Sequence, residues 1–500
     1  MAMSDLKQTH PDQAGAPSPR IRRESGPEAD LPRFPADLVL AAMVLMSGCV
    51  TTWAPPPKPE PVPVDVWVDA FAAEGGDGSS DKPLRQPPNV LAPKTRLHVR
   101  SGLYAGPFQF SDGARVEGVG EVVFTGTPGQ TTVTAHDAEL VNLSVQGGDT
   151  GLVAGPEVVL RAVRFSGQRQ RAVTVNGALT ANDVTLVSSV EGIVGVLVSP
   201  GAKLVADDLK LEGGFRKGVE CLQGATTLRR FSAQGAKAAV HLNECGATLV
   251  DGTVRGGSGP AVFAVQGTLD VQRLTVRGQE YGLQLAAGAK ATVSGLVVEQ
   301  TAQACVSSQR AELTLTKSEL KACGLSGAVV LFESTATVED TTISSTQEVG
   351  ILIRQGQATL KGLRLSQISA PSESLGDALH VRQATVKLDD VRVSDVTGSA
   401  LFVSAFAQVE VGRLEVERAR QAALFVERHS KVAVDALLVR GGGGAVVVPD
   451  EASLTMRTLS VAGGTELPIY AECQQGASVQ VGRVESTTQQ LPSRCITPLR

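Results

Sequence analysis

The sequence predicts an all-β fold, a solenoid of about 15 or more short coils with three strands each in the parallel β-helix arrangement, and three observations predict it. One short phrase, a small residue followed by alternating apolar positions, is written repeatedly: Gly151-Leu152-Val153-Ala154, Gly195-Val196-Leu197-Val198, Gly350-Ile351-Leu352-Ile353, Ala400-Leu401-Phe402-Val403 and Ala445-Val446-Val447-Val448. Its anchors fall at 151, 172, 195, 218, 239, 261, 282, 304, 328, 350, 378, 400, 423, 445 and 469, a period of roughly 22 to 23 residues, which is solenoid spacing. Inside a coil such as 195 to 217, Val196-Leu197-Val198, Ala202 to Ala206 and Leu209-Lys210-Leu211 are separated by Pro200-Gly201 and Asp207-Asp208, so three strands alternate with turn residues.

Parity follows from the phrase. Side chains alternate across a strand, so the first and third apolar residues of strand one stack inward as columns and the second points out. Each strand then hydrogen-bonds to its equivalent one coil away, at about 4.8 Å. Leucine-rich repeats share this period, but their Leu-x-x-Leu-x-Leu-x-x-Asn pattern is absent. The chain has 500 residues, 46 basic and 51 acidic, for a net charge of -5. That mild, mixed charge does not predict a nucleic-acid partner, which would need a clustered basic face. Aromatic residues make up only 4%, few for the stacking platforms on which sugar clefts depend.

Taken in order, residues 1–48 hold Arg20, Arg22, Arg23 and Arg33 ahead of the apolar run from Leu38 to Met46, which ends in Ser47-Gly48-Cys49. The run is shorter than the about 20 residues of a spanning helix and suits a signal-peptide h-region. This stretch resembles a bacterial lipoprotein signal, with an n-region long enough to fit a later start codon. The resemblance implies that residues 1–48 are removed and that Cys49 becomes a lipidated N-terminus anchored in the cell envelope. Residues 49–65 are Pro-rich, a composition that forms an extended stalk rather than a core.

Residues 66–150 begin with Val66-Trp67-Val68-Asp69, a loop through Gly75-Gly76-Asp77-Gly78, and Leu97-His98-Val99-Arg100; they are expected to be a cap and irregular first coils, as terminal repeats are. With the repeats behind it, this opening resembles the right-handed parallel β-helix family, the pectin-lyase-like superfold. Residues 151–490 carry the regular repeats and 491–500 a tail. After Cys49 the cysteines are Cys221, Cys245, Cys305, Cys323, Cys473 and Cys495. Their neighbours in sequence lie about one coil apart, so pairing 221–245, 305–323 and 473–495 across rungs is expected of an exported chain; buried free thiols are the alternative.

Many members of the superfold are polysaccharide lyases or hydrolases, which need paired carboxylates, or calcium-binding ones beside a base, on one outer face. The acidic doublets Asp207-Asp208 and Asp389-Asp390 sit at the turn between strands two and three, where other coils place Asp251-Gly252, Lys317-Ser318 and Arg457-Thr458; that column reads as turn chemistry. His241 and His380 take outward slots of strand one with no carboxylate or serine of the same coil expected beside them. No Cys/His grouping has zinc spacing, and nothing in the pattern requires a cofactor. No catalytic residue is therefore assigned.

The outward residues of strands two and three are mostly polar, among them Lys210, Thr314, Arg364, Lys387 and Glu415. Strand one differs, with Phe263, Val306, Val330, Leu352, His380, Phe402, Phe425 and Val447 expected to face out. Such a ladder is more than scattered surface hydrophobes require. It is either covered by the long loop from Ile368 to Asp377 or is a face for a protein, an envelope polysaccharide or a second copy. The expected function is a noncatalytic, lipid-anchored scaffold or binding protein of the envelope, with a polysaccharide-modifying enzyme as the alternative.

Overall fold

Each coil of this chain buries its apolar columns only by stacking on the next, and the computed structural model shows the result over residues 63–370, 376–463, 468–486 and 494–499. Cys49, the apolar run before it and nearly all of the stalk lie outside the described residues. Within them, 41 strands join in one parallel sheet that winds into a right-handed parallel β-helix of about 17 turns. In a typical coil, strand one is Val349–Arg354, strand two Gln357–Lys361 and strand three Arg364–Ile368. Each pairs in parallel with its equivalents, strand one with Val329–Phe332 before it and Asp377–Arg382 after it.

The core is the set of inward columns. Along strand one, Leu283, Val306, Val329, Ile351, Leu379, Leu401, Leu424, Val446 and Ile469 stack rung on rung, and all are buried. The anchor before most of these is Gly or Ala because the next coil comes close: a Cβ on Gly350 would stand 2.4 Å from the Ala378 carbonyl oxygen and 2.8 Å from Leu365 and Ile368 side-chain carbons. At the turn between strands two and three, Asp183, Asp208, Arg230, Asp251, Arg273, Lys317, Asp340 and Asp390 all have φ between 47° and 57°. One left-handed residue turns the chain at that corner in coil after coil. Asp tolerates the conformation better than most residues because its short side chain bonds locally, and the Arg positions between them bring charge pairing between coils.

Ser308 takes an inward slot that holds Leu285 and Leu331 in the neighbouring coils. It is satisfied by Ser334, whose hydroxyl lies 3.1 Å from that of Ser308 and 3.0 Å from its carbonyl oxygen. The same coil corrects one expectation. Val306 does not face out: it pairs with Leu283 and Val329 and is 0% exposed. The outward residue there is Ser307. Ala304 and Cys305 are both small and buried, so either could be the anchor locally, and the inter-coil register selects Cys305. The cysteines pair as Cys221–Cys245, Cys305–Cys323 and Cys473–Cys495. Three disulfides fit a chain that folds in an oxidising, exported compartment. No helix among the described residues is long and apolar enough to cross a membrane.

Candidate functional site

Strand register assembles the outward face of strand one rung by rung. Val330, Leu352, His380, Phe402, Phe425 and Val447 are consecutive partners, and Tyr470 extends the column by one more. Six intervals of about 4.8 Å make it about 29 Å long. Its members are partly exposed, Tyr470 most of all at 44%. The ladder starts at Val330 because Ser307 and Gln284 occupy the two preceding rungs. Phe263 stands apart beyond them, beside His241 with ring centroids 5.2 Å apart. The repeat spacing puts an anchor at Ile469, but the register makes Ile469 the inward residue and Tyr470 the outward one. The suggested cover, the loop from Ile368 to Asp377, includes residues 371–375, which lie outside the described residues.

The rings stack along the solenoid axis. His380 and Phe402 lie 4.7 Å apart at 29°, and Phe402 and Phe425 5.0 Å apart at 13°. Much of each ring face is therefore taken by the ring above or below, leaving edges to the outside. Sugars pack on aromatic faces, whereas edges and aliphatic tips suit another apolar surface.

His380 is held in place, against the expectation that its coil offers no carboxylate. Asp377 occupies a slot filled by Val349 one coil earlier, and its Oδ2 lies 3.0 Å from His380 Nδ1. Its Oδ1 accepts the Ser399 N–H at 2.7 Å. Gly398 leaves room for this carboxylate, since a Cβ there would stand 2.5 Å from Oδ1. Asp377 is 4% exposed, and the cost of burying it is offset by these two bonds.

Two residues along each strand runs a second outward column: Phe332, Arg354, Arg382 and Ser404, with Glu427 in the next coil. It is basic at one end and acidic at the other. The Arg354 guanidinium lies over the Phe332 ring at 5.4 Å. Among the described residues no carboxylate is within ion-pair distance of Arg354 or Arg382. Burial raises the Glu427 carboxyl above its ordinary range, against the pull of the Arg428 guanidinium, whose Nε is 3.2 Å away. At the adjoining corner, Phe406 stacks on His429 at 4.9 Å and His429 Nδ1 lies 2.9 Å from Glu451. With Arg428, Asp450 and Gln474 they line an open depression of about 600 Å³. These groups come from four successive coils, at Phe406, Arg428-His429, Asp450-Glu451 and Gln474, so only coil stacking brings them together.

Elsewhere several carboxylates are tied to cations. Asp208 and Asp251 accept paired hydrogen bonds from Arg230 and Arg273, which lower both carboxyls from their ordinary value. On strand two, Thr248, Asp270, Thr292 and Thr314 floor an open groove of about 480 Å³, with Lys290 and Glu312 paired at 2.9 Å on its rim. No group of three or more His, Cys, Asp and Glu with metal-binding geometry occurs among the described residues.

No family model and no curated protein matches the chain. Among solved structures it is similar to the catalytic unit of a GH87 α-1,3-glucanase from Streptomyces thermodiastaticus, at 14% identity and TM-score 0.29, covering 80% of this chain and 64% of that one. It is similar also to a mannuronic-acid-specific polysaccharide family 6 lyase from human gut microbiota, at 9% identity and TM-score 0.28 over 82% and 86% of the two chains. A pectate lyase matches at 9% identity and TM-score 0.17 over 82% and 78%. At such distances the likeness concerns the parallel β-helix alone, a fold that hosts many activities.

Proposed function

We propose that this is an exported, lipid-anchored and noncatalytic scaffold of the cell envelope, which makes macromolecular contact through the strand-one face. The observation that carries the reading is the ladder from Val330 to Tyr470, seven consecutive apolar or aromatic rungs on a face whose counterparts along strands two and three are mostly polar. A contiguous patch of this kind marks an interaction surface. Stacked rings with outward edges favour a protein surface over a glycan. The lipoprotein-like segment ending at Cys49 and the Pro-rich stalk suit a body held off a membrane.

The test is the double substitution Phe402→Ser, Phe425→Ser. Folding should stay close to wild type while envelope components captured by the wild-type chain are lost. A variant that melts far below wild type, alongside a wild-type chain that captures nothing, would refute the reading.

A polysaccharide-modifying enzyme is the second reading, favoured by one observation: His429, Glu451, Asp450 and Arg428 share the depression beside Phe406. Acid–base chemistry on a sugar chain needs carboxylate and base in one cleft. Glycan cleavage by the wild-type chain that vanishes in Glu451→Gln would establish it in place of the scaffold.

A further inference from the structure

We infer that the partner of the strand-one face is a second copy of this chain, docked with its solenoid axis reversed about a two-fold axis that runs along the strands through Phe402. This rests on the contact-face reading above and names its partner.

The argument is the symmetry of the face under that operation. A two-fold axis parallel to the strands and lying between two facing sheets preserves strand direction and reverses the order of rungs, giving an isologous interface. With Phe402 on the axis, Val330 meets Tyr470 of the other copy, Leu352 meets Val447 and His380 meets Phe425. Every rung of the ladder then faces an apolar or aromatic one, and the ladder has as many rungs before Phe402 as after it. Facing sheets pack about 10 Å apart, a gap that side chains of this size fill from both sides.

Charge makes the choice of partner specific. Because strand direction is kept, the second outward column faces itself in reverse order. Arg382, one coil before Ser404, then lies opposite Glu427, one coil after it, and the pair occurs twice. Ser404, buried and small, sits at the axis where a long side chain would meet its own copy. Arg354 falls opposite Pro449 and gains no charge partner there. The docked copy sets a Glu427 carboxylate opposite each Arg382, adding to the attraction between Arg382 and Glu427 that exists within one chain. The other possible two-fold axis, parallel to the solenoid, would place Arg382, Ser404 and Glu427 against Ala378, Ala400 and Ala423 and pair no charges.

The size of the face sets the strength. About 29 Å by the about 16 Å of five strand residues is roughly 450 Å² per copy, less than the about 800 Å² of a standard stable interface. A weak, reversible dimer in the micromolar range is therefore expected.

The test uses charge exchange on the full chain, expressed with its own signal and purified from membranes in density-matched detergent. Sedimentation at on the order of 50 µM should give a wild-type dimer. Arg382→Glu and Glu427→Arg should each weaken association about tenfold or more, by placing like charges together. The chain carrying both substitutions should recover to within about threefold of wild type, with all variants melting as cooperatively as wild type. A monomeric wild type, single variants that associate normally, or failure of the folded double variant to recover would each overturn the second-copy proposal. Loss of envelope capture in Phe402→Ser, Phe425→Ser would in those cases still uphold the contact face, so the two readings fail separately.

Discussion

Replacing Ile353 and Leu352 by Ala, one at a time, tests the parity on which the core and the contact face both depend. Ile353 is 0% exposed and stacks between Leu331 and Val381. Its substitution removes three buried carbons, worth about 2.4 kcal/mol at about 0.8 each. If half to all of a roughly 60 Å³ void persists, about 1 kcal/mol is added at about 24 cal/mol per Å³, for a total near 3.5 kcal/mol. Leu352 loses as many carbons, but its side chain is partly in water and its removal opens no enclosed void, so about 1 kcal/mol is expected. Because a solenoid is stabilised mainly by neighbouring coils, the loss should be local, raising hydrogen exchange in the strands from Val329 to Arg382 before the termini respond. Equal destabilisation by the two substitutions, or a wild-type exchange pattern and melt for Ile353→Asp, which would bury an unpaired charge, would refute the parity.

Two further expectations follow from the ends and corners of the molecule. Cys49→Ala should leave residues 1–48 attached and abolish incorporation of labelled fatty acid, with the chain no longer extracted into a detergent phase; unchanged processing and partitioning would rule out the anchor. Arg230 and Arg273 depress the Asp208 and Asp251 carboxyls, so what these pairs contribute to stability is present above the unfolded carboxyl pKa of about 4 and is lost as pH falls through the lower folded value. The melting difference between wild type and Arg230→Gln should therefore hold steady from neutral pH down to about 5 and shrink below about 4; a difference unchanged at pH 2 would contradict it.

The repeat itself was legible in the sequence. A small residue followed by alternating apolar ones can bury its first and third side chains only in a strand, and a period near one coil stacks those strands in parallel. The phrase at Gly350-Ile351-Leu352-Ile353 thus determined the inward and outward faces of its strand, and the cysteine spacings pointed to pairing across neighbouring coils, with free thiols as the alternative, where the three disulfides lie. What local pattern could not decide is column membership, because that depends on inter-coil hydrogen bonds and on how many residues each corner spends. At Ala304-Cys305 two small residues compete for one anchor, and pairing of Val306 with Leu283 and Val329 placed Ser307 on the surface. At Pro468-Ile469 no small residue marks the anchor, so the repeat phrase does not place Tyr470 on the outward face. Asp377 reads as a loop residue until the register sets it in a buried slot of strand one against His380 and Ser399. The meeting of Phe406, His429 and Glu451 likewise depends on corners of successive coils lying directly over one another. Periodicity says that a strand has an inside and an outside; only the stacked backbone says which residue of one coil lies against which residue of the next.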